Sequence, residues 1–140
     1  STPFDQQMAQ VYPLRILIAE DNSVNQKVAL RMLARLGYQP EVASNGIDAL
    51  AAFGQRPFDL ILMDVQMPEM DGVVATRRIR ADFPAQAQPF IAAMTADAMT
   101  GDREKYLAVG MNDYISKPIS VADLIAVLRR AHSAKDLTAQ

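Results

Sequence analysis

Four groups of polar residues each stand where an apolar run stops. Glu20-Asp21 follow Leu14–Ala19, Asp64 follows Leu60–Met63, Thr95 follows Phe90–Met94, and Lys117-Pro118 follow Tyr114–Ser116. If these runs are neighbouring strands of one parallel sheet, their carboxyl ends open onto a common crevice, the place where such sheets bind ligands. Three carboxylates, one hydroxyl and one ammonium then share a pocket. Two unit charges ~4 Å apart repel by about 4 kcal/mol at an effective dielectric near 20, so Glu20, Asp21 and Asp64 together either take up protons or recruit a cation. Oxygen ligands without His or Cys suit Mg²⁺, which keeps several waters and uses one or two carboxylates plus phosphate oxygens. Asp21 and Asp64 are the candidate direct ligands, with Glu20 acting mainly through a bound water and Gln66 adding its backbone carbonyl.

A carboxylate beside such a cation can also be a nucleophile, forming an acyl phosphate, and Asp64 is the candidate. A bound Mg²⁺ would neutralise phosphoryl charge. In the loop after Asp64, VQMPEMDG, Pro68 fixes one turn and Gly72 permits another. Lys117 is a compact point charge on a flexible stem, suited to one phosphate oxygen. Thr95 offers a single hydroxyl, either to a phosphoryl oxygen or as a cap for the following helix. Tyr114, read from the residues alone, is an ordinary half-buried tyrosine. The methionines read as core filler. His132 reads as a solvated residue beyond the last helix turn, and Arg77, Arg78, Arg80, Arg129 and Arg130 as solvated helix faces.

These residues need a frame to hold them. Residues 1–13 lack periodicity and contain two prolines, which predicts a linker or tail. Short apolar runs then alternate with helical periodicity. Strands are predicted at Leu14–Ala19, Glu41–Ala43, Asp59–Met63, Phe90–Met94 and Asp113–Ser116. Helices are predicted at Ser23–Leu36, from Gly46 to about Phe53, and from about Val73 to Phe83, about Met99 to Val109 and Val121 to Ala131. In the first helix Val24, Val28, Met32 and Leu36 mark an inner face, with Asn22 or Ser23 capping the start and Gly37 stopping it. Ile47, Leu50 and Phe53 do so in the second, Val74 and Ile79 set inner against outer faces in the third, and Leu124, Ile125, Val127 and Leu128 point inward in the last. Residues 133–140 read as a polar, frayed tail. Five β units alternating with five α units predict a doubly wound α/β domain spanning 14–132, with the flavodoxin-like strand order 2-1-3-4-5. That order seats strand 1 beside strand 3 and so brings Glu20-Asp21 next to Asp64.

The bulk numbers bound the partners. The chain has 140 residues, half of them hydrophobic and 21% charged, which is ordinary for one globular domain. A net charge of −2 gives no electrostatic case for nucleic acid. The absence of cysteine excludes disulfides and thiolate metal sites and is compatible with a reducing compartment. No run approaches the ~20 apolar residues of a membrane helix, so no membrane contact by this segment is expected. Ser1-Thr2 in place of an initiator Met fits a piece of a longer protein or a processed end.

At the residues singled out, the chain resembles the receiver domain of two-component response regulators. The elements ILIAEDN, LILMDVQMPEMDG, IAAMTADAM and DYISKPI occur in that order and with receiver-like separations. The resemblance implies that Asp64 accepts phosphate from a phosphohistidine, that Glu20 and Asp21 hold Mg²⁺, and that Thr95 and Lys117 contact the phosphoryl group. It further implies a cis Lys117-Pro118 bond, Tyr114 as the aromatic switch residue, and a responsive face made by helix 4, strand 5 and helix 5. The segments EDNSVNQKVALRMLARLGY and MTADAMTGDREKYLAVGMNDYISKPI are similar to receivers attached to hybrid sensor histidine kinases. The partners implied are a kinase phosphohistidine domain or a histidine phosphotransfer domain. A homodimer is left open. The expected place is the cytoplasm, including the cytoplasmic part of a membrane-bound sensor kinase. Glu20 replaces the Asp often found first in the acidic pair, a form common in the hybrid subgroup. Gln66 and Asp97 border the expected phosphoryl position.

Three rivals are weaker. An aspartate-nucleophile phosphohydrolase with its own substrate usually needs a carboxylate two residues after the nucleophile, where this chain has Gln66. The expected chemistry is therefore self-phosphorylation and dephosphorylation without turnover of a separate substrate. An FMN-binding module needs a Ser/Thr/Gly-rich phosphate loop after the first strand, and EDNSV puts negative charge there. A fold kept only as an interaction surface would not need Asp64, Thr95 and Lys117 together.

Overall fold

The computed structural model describes residues 6–96 and 100–139. Its centre is a parallel five-stranded sheet in the order β2-β1-β3-β4-β5, with β1 Ile16–Ala19, β2 Glu41–Ala43, β3 Leu60–Asp64, β4 Phe90–Thr95 and β5 Asp113–Ser116. Helices α1 (Ser23–Arg35), α2 (Gly46–Gln55), α3 (Gly72–Asp82), α4 (Thr100–Ala108) and α5 (Val121–Ala139) connect and follow the strands. Strands covered on both faces must be apolar throughout, and Ile16–Ala19 and Leu60–Met63 are buried at every position. Alternate residues feed two cores. Ile16, Ile18, Leu60, Leu62 and Met94 pack with Leu33 and Leu36 of α1 and Leu124, Val127 and Leu128 of α5. Leu17, Ala19, Ile61, Met63 and Ile91 pack with Ala49 and Phe53 of α2, Ala75 and Ile79 of α3, and Tyr106 of α4.

Asn22, Asn45 and Asp71 cap α1, α2 and α3 by accepting a backbone N–H from the first turn, the role those short polar side chains fill best. Gly37 and Gly110 follow helices α1 and α4 at positive φ, the left-handed stop that glycine adopts without penalty.

Several expectations from sequence need correction. In α1, Val24 and Val28 are exposed, and the buried stripe is Ala29, Leu33 and Leu36. Spacings of four and three follow the 3.6-residue period, whereas a strict spacing of four drifts around the helix. Ile47 and Val74 are likewise exposed, and Ala49, Ala75 and Thr76 take the inward places. Ahead of β1, where no element is expected, Met8–Val11 forms a single helical turn. Met8 is buried in the α1/α5 core, and the Tyr38 hydroxyl donates to the Tyr12 carbonyl at 2.6 Å. At the other end α5 continues to Ala139. His132 therefore lies within the helix, half-buried, edge-on to Tyr12 at 5.4 Å between ring centroids. The expected start of α4 at Met99, and Asp97, lie outside the described residues.

Candidate functional site

The register carries the site. Ala19 pairs with Met63 across β1 and β3, so the next residues, Glu20 and Asp64, emerge side by side at the carboxyl edge. Asp64 in turn pairs with Met94, and Thr95 with Ser116, which places Thr95 and then Lys117 on the same edge. One ligand oxygen from each of Glu20, Asp21 and Asp64 lies within 4.8 Å of the others. Glu20 and Asp64 are buried and Asp21 is exposed.

Lys117 reaches into this cluster. Its Nζ lies 2.8 Å from Glu20 Oε2 and 2.9 Å from Asp64 Oδ2. The remaining carboxylate oxygens accept backbone N–H groups, Asn22 on Glu20 Oε1 and Gln66 on Asp64 Oδ1, each at 3.1 Å. The Lys117-Pro118 peptide is cis. Gln66 thus touches Asp64 through its own N–H.

The electrostatics follow from two buried carboxylates sharing one ammonium. Burial pushes the Asp64 carboxyl up to about 6, aided by the Glu20 charge and opposed by Lys117 and the Gln66 N–H. For Glu20, burial again opposes ionisation, but the bonds from Lys117 and Asn22 outweigh it and hold the carboxyl below its ordinary value. Lys117 loses hydration, yet its two carboxylate partners raise it overall. Groups this close titrate as a unit. Three carboxylates against one ammonium leave two negative charges, all on hard oxygen donors, a set that fits a divalent oxygen-seeking cation.

The loop after β3 sets the attitude of Asp64. Its left-handed residue is Glu69 (φ 67°). Gly72 is needed for close approach: a Cβ there would come 2.1 Å from the Asp64 backbone oxygen, so the first turn of α3 can lie on that carbonyl only without a side chain. On the far side of the site, Thr95 is buried, its Oγ1 3.3 Å from the Tyr106 hydroxyl on α4. Tyr114 is half-buried in β5, with the Arg103 guanidinium 5.7 Å from its ring centroid. Arg130 on α5 pairs with Asp113 at the start of β5.

Two residues escaped the sequence reading. Tyr106 is a lone aromatic in a largely polar helix, and nothing in its spacing signals contact with Thr95. Arg80 read as one solvated arginine among three, yet it donates to the Gly110 and Pro89 carbonyls and to Gln88 and Asn112, each at 2.8 Å. It pins the loops that lead into β4 and β5 to the end of α3.

A doubly wound domain with an acidic cluster, a hydroxyl and a lysine on the carboxyl edge of its sheet defines the class. The chain belongs to the response regulator receiver domain family, which matches residues 16–129. It is 41% identical over 128 residues to hybrid signal transduction histidine kinase G of Dictyostelium discoideum, an alignment covering 90% of this chain and 4% of that protein. The chain thus spans a small fraction of that relative's length. Among solved structures it is similar to the receiver domain of a sensor histidine kinase from Pseudomonas aeruginosa PAO1, which has a magnesium ion coordinated in the active site cleft. That likeness has 43% identity and a TM-score of 0.76, covering 86% of this chain and 98% of that one. A second similar structure is the receiver domain of the Saccharomyces cerevisiae response regulator Ssk1, crystallised with the histidine phosphotransfer protein Ypd1. Here identity is 29% and the TM-score 0.79, covering 87% of this chain and 90% of that one. The chain is therefore a receiver domain of two-component phosphorelay type, homologous to those of hybrid histidine kinases. Among the described residues, no helix is long and apolar enough to cross a membrane.

Proposed function

We propose that this domain, residues 14–132, accepts a phosphoryl group from a phosphohistidine onto Asp64, with Mg²⁺ held by Asp21, Asp64, Glu20 through water, and the Gln66 carbonyl. The observation that carries the reading is the buried Glu20–Lys117–Asp64 bridge beside Thr95, at the carboxyl edge of the sheet. A carboxylate oxygen of Asp64 attacks phosphorus, a P–O bond forms, the P–N bond to the imidazole breaks, and the departing imidazole takes up a proton from solvent. Mg²⁺, when bound, supplies neutralisation of the phosphoryl oxygens. The Gln66 N–H and the α3 turn on the Asp64 carbonyl hold the nucleophile out of the sheet. Lys117 exchanges its Asp64 oxygen for a phosphoryl oxygen, and Thr95 donates its hydroxyl proton to another. Tyr114 and the α4/β5/α5 face respond to that movement. The donor is a kinase phosphohistidine or a histidine phosphotransfer domain, and the domain serves within a hybrid sensor kinase. The magnesium-bearing neighbour and the neighbour crystallised with a phosphotransfer protein support this reading.

The test is intact mass after incubation with acetyl phosphate, in Mg²⁺ or in EDTA, for wild type and Asp64→Asn. A Mg²⁺-dependent gain of one phosphoryl group that the variant lacks is expected. A wild type left unmodified both by acetyl phosphate and by a phosphohistidine donor overturns the reading.

A further inference from the structure

The Tyr106 hydroxyl, 3.3 Å from Thr95 Oγ1, sits in a buried contact between α4 and the end of β4, with Tyr106 8% and Thr95 3% exposed. One turn earlier on α4, Arg103 stands 5.7 Å from the Tyr114 ring centroid. Residues three apart share a helix face, so one face of α4 touches both Thr95 and Tyr114. We propose that Tyr106 is the positioning residue that passes a displacement of Thr95 to α4, through a hydroxyl chain running from Tyr106 to Thr95 to the phosphoryl oxygen. This rests on the phosphoacceptor reading of Asp64.

The direction of the chain follows from the proton count. A threonine hydroxyl has one proton and two lone pairs, and a phenol has one proton to give. In the unphosphorylated domain either oxygen can donate, and 3.3 Å lies beyond the usual 2.5–3.0 Å for O–H···O. The contact is slack. Once Thr95 gives its proton to a phosphoryl oxygen, its own oxygen can only accept, and Tyr106 becomes the donor. Each bond in such a chain polarises the next, and a charged acceptor at one end tightens the whole. A buried phenol proton left without its acceptor is costly. Tyr106 therefore follows Thr95 inward and takes its turn of α4 along, and Arg103 shifts over Tyr114 as the helix moves. Tyr114 reports the movement from β5, while Tyr106 imposes it on the helix.

The experiment measures amide hydrogen exchange in α4 of the 140-residue protein, with and without acetyl phosphate and Mg²⁺, and phosphoryl occupancy by intact mass on the same samples. In wild type, phosphorylation changes α4 exchange by about fivefold or more, the worth of one ordinary hydrogen bond. Tyr106→Phe keeps the ring and its packing. At equal occupancy it should cut that phosphorylation-dependent difference to about twofold or less, whereas a merely structural loss would alter both states alike. Thr95→Val should lose the response with Tyr106 intact, and the Thr95→Val/Tyr106→Phe double variant should lose no more, as expected for two members of one chain. A wild-type response in either single variant overturns the proposal, as does an additive double variant. A wild type that gains no phosphoryl mass refutes the phosphoacceptor reading itself and takes this proposal with it.

Discussion

Asp64→Asn removes the proposed nucleophile, and it should also make the metal-free domain more stable. Asp64 is 4% exposed and shares the Lys117 ammonium with Glu20, which is 2% exposed. Burial, with the Glu20 charge, raises the Asp64 carboxyl from 3.8 to about 6. At about 1.4 kcal/mol per pKa unit, its ionisation costs the folded state at most about 3 kcal/mol. Asparagine has nearly the shape of the protonated carboxyl and escapes that cost, so a gain of about 1–3 kcal/mol is expected. Because the folded value is raised, wild-type stability is complete below the ordinary Asp range and is lost as pH climbs to about 6. The gap between the proteins should therefore open between about pH 4 and pH 6 and stay level above it. Urea titrations in EDTA at pH 4 and pH 7.5 measure it directly, since ~2 kcal/mol moves the midpoint by about 1 M at a typical slope. Adding Mg²⁺ should then close the gap, because saturation at a hundredfold over Kd stabilises the wild type by about 2.7 kcal/mol. An Asp64→Asn protein no more stable than wild type at pH 7.5 in EDTA would refute the reasoning. So would a gap already as wide at pH 4.

Two further outcomes concern the opposite end of the sheet. Burial disfavours the Asp59 carboxylate, but bonds from the Arg15 side chain and N–H, with the Lys135 charge, hold it below its ordinary value. That stability is present above the ordinary Asp range and lost as pH falls through the folded value, so Asp59→Asn should cost about 1–3 kcal/mol at pH 7, with the difference from wild type in urea titrations beginning to shrink only as pH falls below 3.8. Arg80→Met removes a donor from four acceptors, of which Asn112 Oδ1 keeps the Ile91 N–H, and should lower stability by about 2–4 kcal/mol, and hydrogen exchange should locate the loss in the loops that lead into β4 and β5.

The sheet and the site were readable because a parallel strand covered on both faces admits no polar residue until it ends. Ile-Leu-Ile-Ala and Leu-Ile-Leu-Met are such strands, and the first polar residue after each, Glu20 and Asp64, marks the carboxyl edge. The inner face of α1 was less legible. Val24, Val28, Leu30, Met32, Leu33 and Leu36 offer two overlapping apolar stripes, and only packing against β1 and β3 selects Leu33 and Leu36 over the valines. Arg80 was opaque for another reason: its acceptors are carbonyls and amides of two loops, and no carboxylate at helical spacing announces them. The turn at Met8–Val11 has no periodicity of its own and is held by burial of Met8 and by the Ala9 N–H on the Leu36 carbonyl at 3.1 Å. Tyr106 stayed hidden because a hydroxyl–hydroxyl contact between elements leaves no pattern along either one.

The bridge at Lys117 bears on how phosphorylation could act. In the unphosphorylated domain the ammonium already has two buried carboxylate partners, so its move to a phosphoryl oxygen exchanges one charged bond for another and gains only the difference. Shifting a two-state domain from mostly off to mostly on takes about 5.5 kcal/mol, and one charge-assisted hydrogen bond contributes about 1.5–3 kcal/mol at best. Lys117 alone therefore falls short. Thr95 can keep the Tyr106 hydroxyl, 3.3 Å away, as a donor while its own proton goes to a charged acceptor, so its new bond adds to the Lys117 exchange. Under the phosphoacceptor reading the switching energy therefore draws on the hydroxyl side of the site as well as on Lys117. Part of how far the equilibrium moves is then set by what the Thr95 hydroxyl touches, which includes Tyr106 on α4.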